Sequence, residues 1–119
     1  MKHTLFQYNG VYDEFIAGLD IPFQAAIDNR LNRLSLLGQN AGIKVTKPLR
    51  DGIFECRIQS RRQQARLLYL YLKGRKIIVA NCIIKKGSKV PTTEIDRAIK
   101  IKEALEQHPE LVNELSEIH

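Results

Sequence analysis

The sequence predicts an α+β fold in one domain: a small antiparallel β-sheet of about four strands, N-terminal helices packed on it, and a C-terminal helix. Three observations carry that expectation. The chain has 119 residues, enough for one hydrophobic core and too few for two. Two stretches repeat apolar residues at three- and four-residue steps, as helices that bury one face do. Between them lie three strand-like runs, two of them joined by a glycine-bearing turn.

The elements follow in order. Residues His3 to Tyr8 alternate weakly, as a short strand would, and Tyr12 to Leu19 suit a short helix. Asp20 is a good N-cap and Pro22 falls in the first turn, where its missing N–H costs little. Phe23, Ala26, Ile27, Leu31, Leu34 and Leu37 then form an apolar stripe, and Gly38 stops the helix. A loop over Gln39 to Thr46 leads to a strand over Leu49 to Ile58, in which Phe54, Cys56 and Ile58 share one face and Ile53, Glu55 and Arg57 the other. Gln64 to Leu72 and Lys76 to Ile84 are nearly continuous apolar runs, which need cover on both faces. The last helix starts near Pro91 to Thr93 and buries Ile95, Ala98, Ile99 and Leu105; Pro109 ends or bends it. The single domain spans residues 1–119, with a tail from about residue 108 that forms another short helical turn. No internal repeat and no linker interrupts it.

Composition narrows the function classes. Nineteen Lys and Arg against thirteen Asp and Glu give a formal charge of +6, and the distribution says more than the total. Lys44 to Lys102 holds sixteen basic and four acidic residues, a net +12, whereas the flanks hold three and nine, a net −6. A basic excess this concentrated points to a polyanionic partner such as nucleic acid. Cys56 and Cys82 sit in apolar runs and read as reduced, buried residues rather than a disulfide. No apolar stretch is long enough for a bilayer span, and Met1 to Gly10 has no signal-peptide core, which points to a cytoplasmic protein with no membrane partner. There is no GxGxxG, Walker loop, HExxH or GxSxG, and His3, His108 and His119 are not spaced as metal ligands. The expectation is therefore a protein with no metal site and no cofactor.

If Lys73 and Gly74 form a two-residue turn, facing residues sum to 147, which sets Arg66 opposite Asn81 and Leu68 opposite Val79. Arg66, Asn81 and Lys85 then project from one face near the open end of the hairpin, and Tyr69, Tyr71, Lys76, Cys82 and Lys86 from the other. A three-residue turn would exchange the faces. Arg66 and Asn81 interrupt otherwise apolar strands, and a buried Arg needs an anion. One candidate anion is Glu55, in an internal salt bridge. The other is a phosphate gripped by Arg57, Arg66, Lys85 and Lys86, whose fixed cations could stabilise a pentacovalent transition state.

The run Lys47-Pro48-Leu49-Arg50-Asp51-Gly52-Ile53-Phe54-Glu55-Cys56-Arg57-Ile58 is followed by Arg66-Leu67-Leu68-Tyr69, then Ile83-Ile84-Lys85-Lys86, then Pro91-Thr92-Thr93-Glu94-Ile95-Asp96-Arg97-Ala98. This ordered set resembles the RelE/HigB toxins of bacterial type II toxin–antitoxin systems, in particular their phage-derived branch. The resemblance implies a RelE-like fold and a metal-independent endoribonuclease, an mRNA interferase that cleaves mRNA on the translating ribosome and so inhibits translation. The RNA 2′-OH attacks the scissile phosphate and leaves a 2′,3′-cyclic phosphate. By position, Arg57 and Arg66 would stabilise the phosphate, and Lys85 or Lys86 would assist proton transfer or neutralise the leaving group. Lys47, Arg61, Arg62, Asn81 and Lys89 would bind RNA. The implied partners are mRNA, the ribosome and a cognate antitoxin, a HigA-like helix-turn-helix protein that could form a heterotetramer with the toxin. Two other readings fit the same residues: a non-catalytic ParE-like toxin that binds a protein such as gyrase, and a basic RNA-binding module without toxicity.

Overall fold

The structure, a computed structural model, describes residues 2–87 and 89–119; Met1 and Ser88 lie outside them. The first strand, β1 (Thr4–Gln7), leads into α1 (Val11–Ala17) and the long α2 (Ile21–Leu37). Then come β2 (Thr46–Pro48), β3 (Phe54–Ser60), β4 (Gln63–Leu72) and β5 (Lys76–Ile84). The chain closes with α3 (Thr92–Gln107), a 3-10 turn over Pro109–Glu114 and the two-residue β6 (Ser116–Glu117). The fold is α+β as expected, with a larger sheet: six strands in the order β2-β3-β4-β5-β1-β6. All neighbours are antiparallel except β1, which runs parallel to β5. The strand expected over Leu49 to Ile58 is two strands, because the chain turns at Asp51 and Gly52, both at positive φ.

Local signals explain α2. Asp20 Oδ1 accepts the Phe23 N–H at 2.9 Å, and Pro22 occupies the first turn. Phe23, Ile27, Leu31 and Leu34 are buried; Leu37, expected in the stripe, is 43% exposed because the stripe ends one turn before the helix does. One face of the sheet packs on this helix and on Tyr12 of α1, through Cys56, Ile58, Ala65, Leu67, Tyr69, Ile77 and Val79. The other face carries Ile53, Leu68, Leu70, Ile78 and Ala80 against Ile95, Ala98 and Leu105 of α3. The two apolar strands thus have helix on both sides, which explains their nearly unbroken hydrophobicity. Burial of each such leucine or isoleucine contributes roughly 1.5–3 kcal/mol.

The hairpin corrects the expected register. Leu72 faces Lys76 and Tyr69 faces Val79, so the turn holds three residues, Lys73-Gly74-Arg75. A bulge between Leu68 and Tyr69 then inserts Ala80, after which Leu68 faces Asn81 and Arg66 faces Ile83. Each one-residue shift alone would exchange the faces; together they offset the register by two and preserve them. Arg66, Asn81 and Lys85 therefore share a face although Arg66 and Asn81 are not opposite each other. Lys76, expected on the far face, lies before the bulge and pairs with Leu72 on the α3 side.

The cysteines are both free, Cys56 buried and Cys82 half-buried, and burial pushes each thiol up to about 12. Among the described residues no helix is long and apolar enough to cross a membrane.

Candidate functional site

Glu55 is the centre around which the basic residues gather. It sits on β3 opposite Leu68, while Arg57 sits opposite Arg66, so strand pairing alone sets one carboxylate beside two guanidinium groups. Glu55 Oε2 lies 3.4 Å from Arg66 Nε, and Glu55 Oε1 lies 3.6 Å from Arg57 Nε. Glu55 and Arg66 are each only 4% exposed. The Arg66 contact is ionic rather than an aligned hydrogen bond, because Glu55 Oε2 and Arg66 Nε make none. The rest of the Arg66 fork is occupied: Nη1 donates to Ala65 O and Nη2 to Gln64 Oε1, both at 2.9 Å. Burial holds Arg66 below the ordinary arginine value, against the opposing pull of Glu55.

Arg66 is therefore an internal organiser, paired with Glu55 and bonded once through each Nη atom, and Arg57 is the cation that faces outward. Arg57 is about one-third exposed, and its Nη1 donates to Ile43 O at 3.4 Å, which draws the side chain around the sheet edge. Lys85 follows β5 and donates its amide to Gln64 O at 2.7 Å, which fixes its side chain on the face of Arg66. Partial desolvation, then the charge of Arg66, pulls the Lys85 ammonium below the ordinary lysine value; Glu55, Arg57 and Lys47 also act on it. Lys47, Arg57, Arg66 and Lys85 are thus one electrostatic group around Glu55.

The other candidates separate. Lys86 is exposed and, one residue further on, leaves the face of Lys85. Arg61 and Arg62 form the exposed β3–β4 turn, Arg61 with φ +57°, and Lys89 is exposed beyond the end of β5. Asn81 is not free for a ligand in the way expected. Its Nδ2 donates to Glu94 O at 3.2 Å and to Glu94 Oε1 at 3.1 Å, tying the first turn of α3 to the sheet.

A concavity of about 350 Å³ opens beside this group, lined by Arg30, Lys44, Arg57, Ile58, Gln59, Gln64 and Arg66. Arg30 comes from α2, in the acidic N-terminal flank, and no spacing in the sequence connects it with Arg57. Gln64, which shares the Arg66 fork, carries one signal in the sequence, its position two residues before Arg66 and so on the same strand face.

The Lys47 to Gly52 portion of the motif has a structural basis. Gly52 has φ +80°, a left-handed conformation that favours glycine, and it lies beneath the flexible end of the Lys102 side chain. Arg50 bonds Asp51 and Asp96, fastening the same turn to the first part of α3.

Fold and site together define a small α+β protein whose sheet carries a cationic end built on a buried carboxylate. The chain belongs to the phage-derived Gp49-like protein family (DUF891), whose model matches residues 14–103. That span begins in α1, ends in α3 and contains every residue of the cationic group. No curated protein sequence matches the chain significantly.

Proposed function

We propose that this chain is the toxin of a type II toxin–antitoxin module and acts as a metal-independent endoribonuclease of the RelE/HigB kind on mRNA. The carrying observation is the group Lys47, Arg57, Arg66 and Lys85 assembled around buried Glu55, with a concavity beside it. Membership in the Gp49-like family and the order of the motifs support the toxin reading.

The chemistry follows from the roles these groups can fill. RNA brings its own nucleophile, so the protein must orient a phosphate, offset its growing charge and move two protons. Arg57, outward and held at Nε by Glu55, grips a non-bridging phosphate oxygen. Arg66 stays buried and acts through its field. Lys85, with its ammonium made easier to deprotonate, is the proton acceptor. The 2′-oxygen bonds to phosphorus as Lys85 takes its proton, the bond from phosphorus to the 5′-oxygen breaks, and that oxygen takes a proton from solvent. A 2′,3′-cyclic phosphate remains. Arg61, Arg62 and Lys89 hold the RNA or ribosomal RNA backbone, and an antitoxin masks the toxin until it is released.

The test is in vitro translation with and without the chain, mapping RNA ends against ribosome position. Cleavage leaving cyclic phosphate ends, lost in Lys85→Ala, is the expected result. Growth arrest with intact transcripts overturns the reading and favours a toxin that binds a protein target.

A further inference from the structure

The β5 strand has an edge that the fold leaves open. β1 covers only Lys76 to Val79, and its last contact is Tyr8 N–H to Val79 O at 3.0 Å. It can go no further, because the buried Gln7 side chain accepts the Tyr12 and Asp13 N–H groups and commits the chain to α1. Among the described residues no strand pairs with β5 on that side beyond Val79. The bulge decides which groups are exposed. Lys85 donates its N–H to Gln64 O, so Lys85, Ile83 and Asn81 present their backbone groups to β4, and Cys82 and Ile84 present theirs to the open side. An unpaired edge of this kind is a template for another strand.

The surroundings are those of a groove. A cavity of about 500 Å³ runs along this edge, with Val11, Phe15 and Leu19 of the α1 segment as one wall and Glu94 and Arg97 of α3 as the other. It touches Cys82 and Ile84 from one face of β5 and Asn81 from the opposite face, which a single cavity can do only across a strand edge. Asn81 is only 5% exposed, and its Oδ1 has no hydrogen-bond partner among the described residues. The charge along the groove is uneven: Glu94 and Arg97 neutralise each other at 3.2 Å and Glu14 adds an exposed carboxylate on the α1 wall, whereas Lys85 and Lys86 follow Ile84 past its far end.

We infer that this groove takes one extended segment of a partner protein as an added strand. The segment is apolar where it faces Val11, Phe15 and Leu19 and acidic where it reaches Lys85 and Lys86. Main-chain bonds to Cys82 and Ile84 supply its affinity and the apolar wall its specificity. The inference rests on the reading of the chain as a toxin masked by a partner, and it names the segment that does the masking: a strand here ends against Lys85, within the proposed cleavage group.

Amide hydrogen exchange on the full chain tests it, with a blocked seven-residue peptide of alternating Glu and Val as the probe. In the free chain the Cys82 and Ile84 amides exchange fast while those of Asn81, Ile83 and Lys85 are protected. The peptide slows Cys82 and Ile84 at least tenfold; the same peptide with its central Val replaced by Pro, or with Lys for Glu, does not. Leu19→Glu, on the wall of the groove, weakens the acidic peptide tenfold or more while keeping the protection pattern of β4. Unchanged exchange with the peptide, or protection that grows with protein concentration in its absence, overturns the inference, the latter by assigning the edge to a second copy. The readout is binding to the free chain, so it fails or succeeds separately from RNA cleavage.

Discussion

On the α3 side of the sheet, the same strands carry an apolar floor at one end and an ionic cluster at the other. At the closed end of the hairpin Leu68, Leu70, Ile78 and Ala80 lie under Ile95, Ala98 and Leu105. Past Asn81, which bonds Glu94 in the first turn of α3, the same face carries Glu55, Arg57, Arg66 and Lys85, beyond the start of that helix. A strand position under a helix gains most from hydrocarbon. A position past the helix end can hold charge only if it supplies its own counter-ion, and Glu55 is that counter-ion for Arg66. The site is therefore defined by where the cover stops.

The largest effect should come from breaking the ionic end. Glu55→Ala strands a buried guanidinium and should cost about 3–5 kcal/mol in urea unfolding, comparable with the roughly 2–5 kcal/mol expected of Leu70→Ala at the apolar end. The double change Glu55→Leu with Arg66→Met should recover most of that stability, because a buried pair is often replaceable by hydrocarbon, yet leave no RNA cleavage. A double variant that unfolds with Glu55→Ala would show that the pair also holds the fold.

Next is chemistry without stability. Arg57→Ala should lower cleavage by ~10²–10³-fold while moving the urea midpoint little, since that side chain is partly exposed. Cleavage should also rise with pH as Lys85 loses its proton, through a pKa below the ordinary lysine value, because desolvation and Arg66 disfavour the ammonium. Arg57→Gln removes a neighbouring cation, so its residual activity should reach the plateau at higher pH. A limb that stays in place would remove Lys85 from the proton path.

Smaller effects probe the supports. Gly52→Ala should cost about 1–3 kcal/mol, from positive φ. Arg50→Ala should barely move the urea midpoint, because both of its ion pairs are exposed and screened by solvent. Arg61→Ala with Arg62→Ala should leave stability unchanged and flatten the salt dependence of RNA binding by about 1.4 units of slope, roughly 0.7 for each phosphate contact on a single strand.

Much of this was legible one residue at a time. Asp20, Pro22 and the stripe from Phe23 to Leu34 define α2 locally, since caps and a 3.6-residue period need no partner. The anomaly of Arg66 in an apolar strand was visible, and so was Glu55 as its possible anion. Less legible were β2 and β6, because strands of three and two residues are too short to show a period, and the parallel placement of β1, which a distant strand decides. The three-residue turn and the bulge at Ala80 were also hidden, since alternation in an apolar run reads the same before and after a one-residue slip.

Local propensity and composition are enough to set the class of fold, the long helix, the hairpin and the concentration of positive charge between Lys44 and Lys102. Packing between distant elements turns Arg66 inward to Glu55 while Arg57 and Lys85 face out, brings Arg30 to them from α2, and leaves β5 an open edge. Those outcomes depend on where β1 and α3 end, and an end in space is set by packing between elements far apart in the chain.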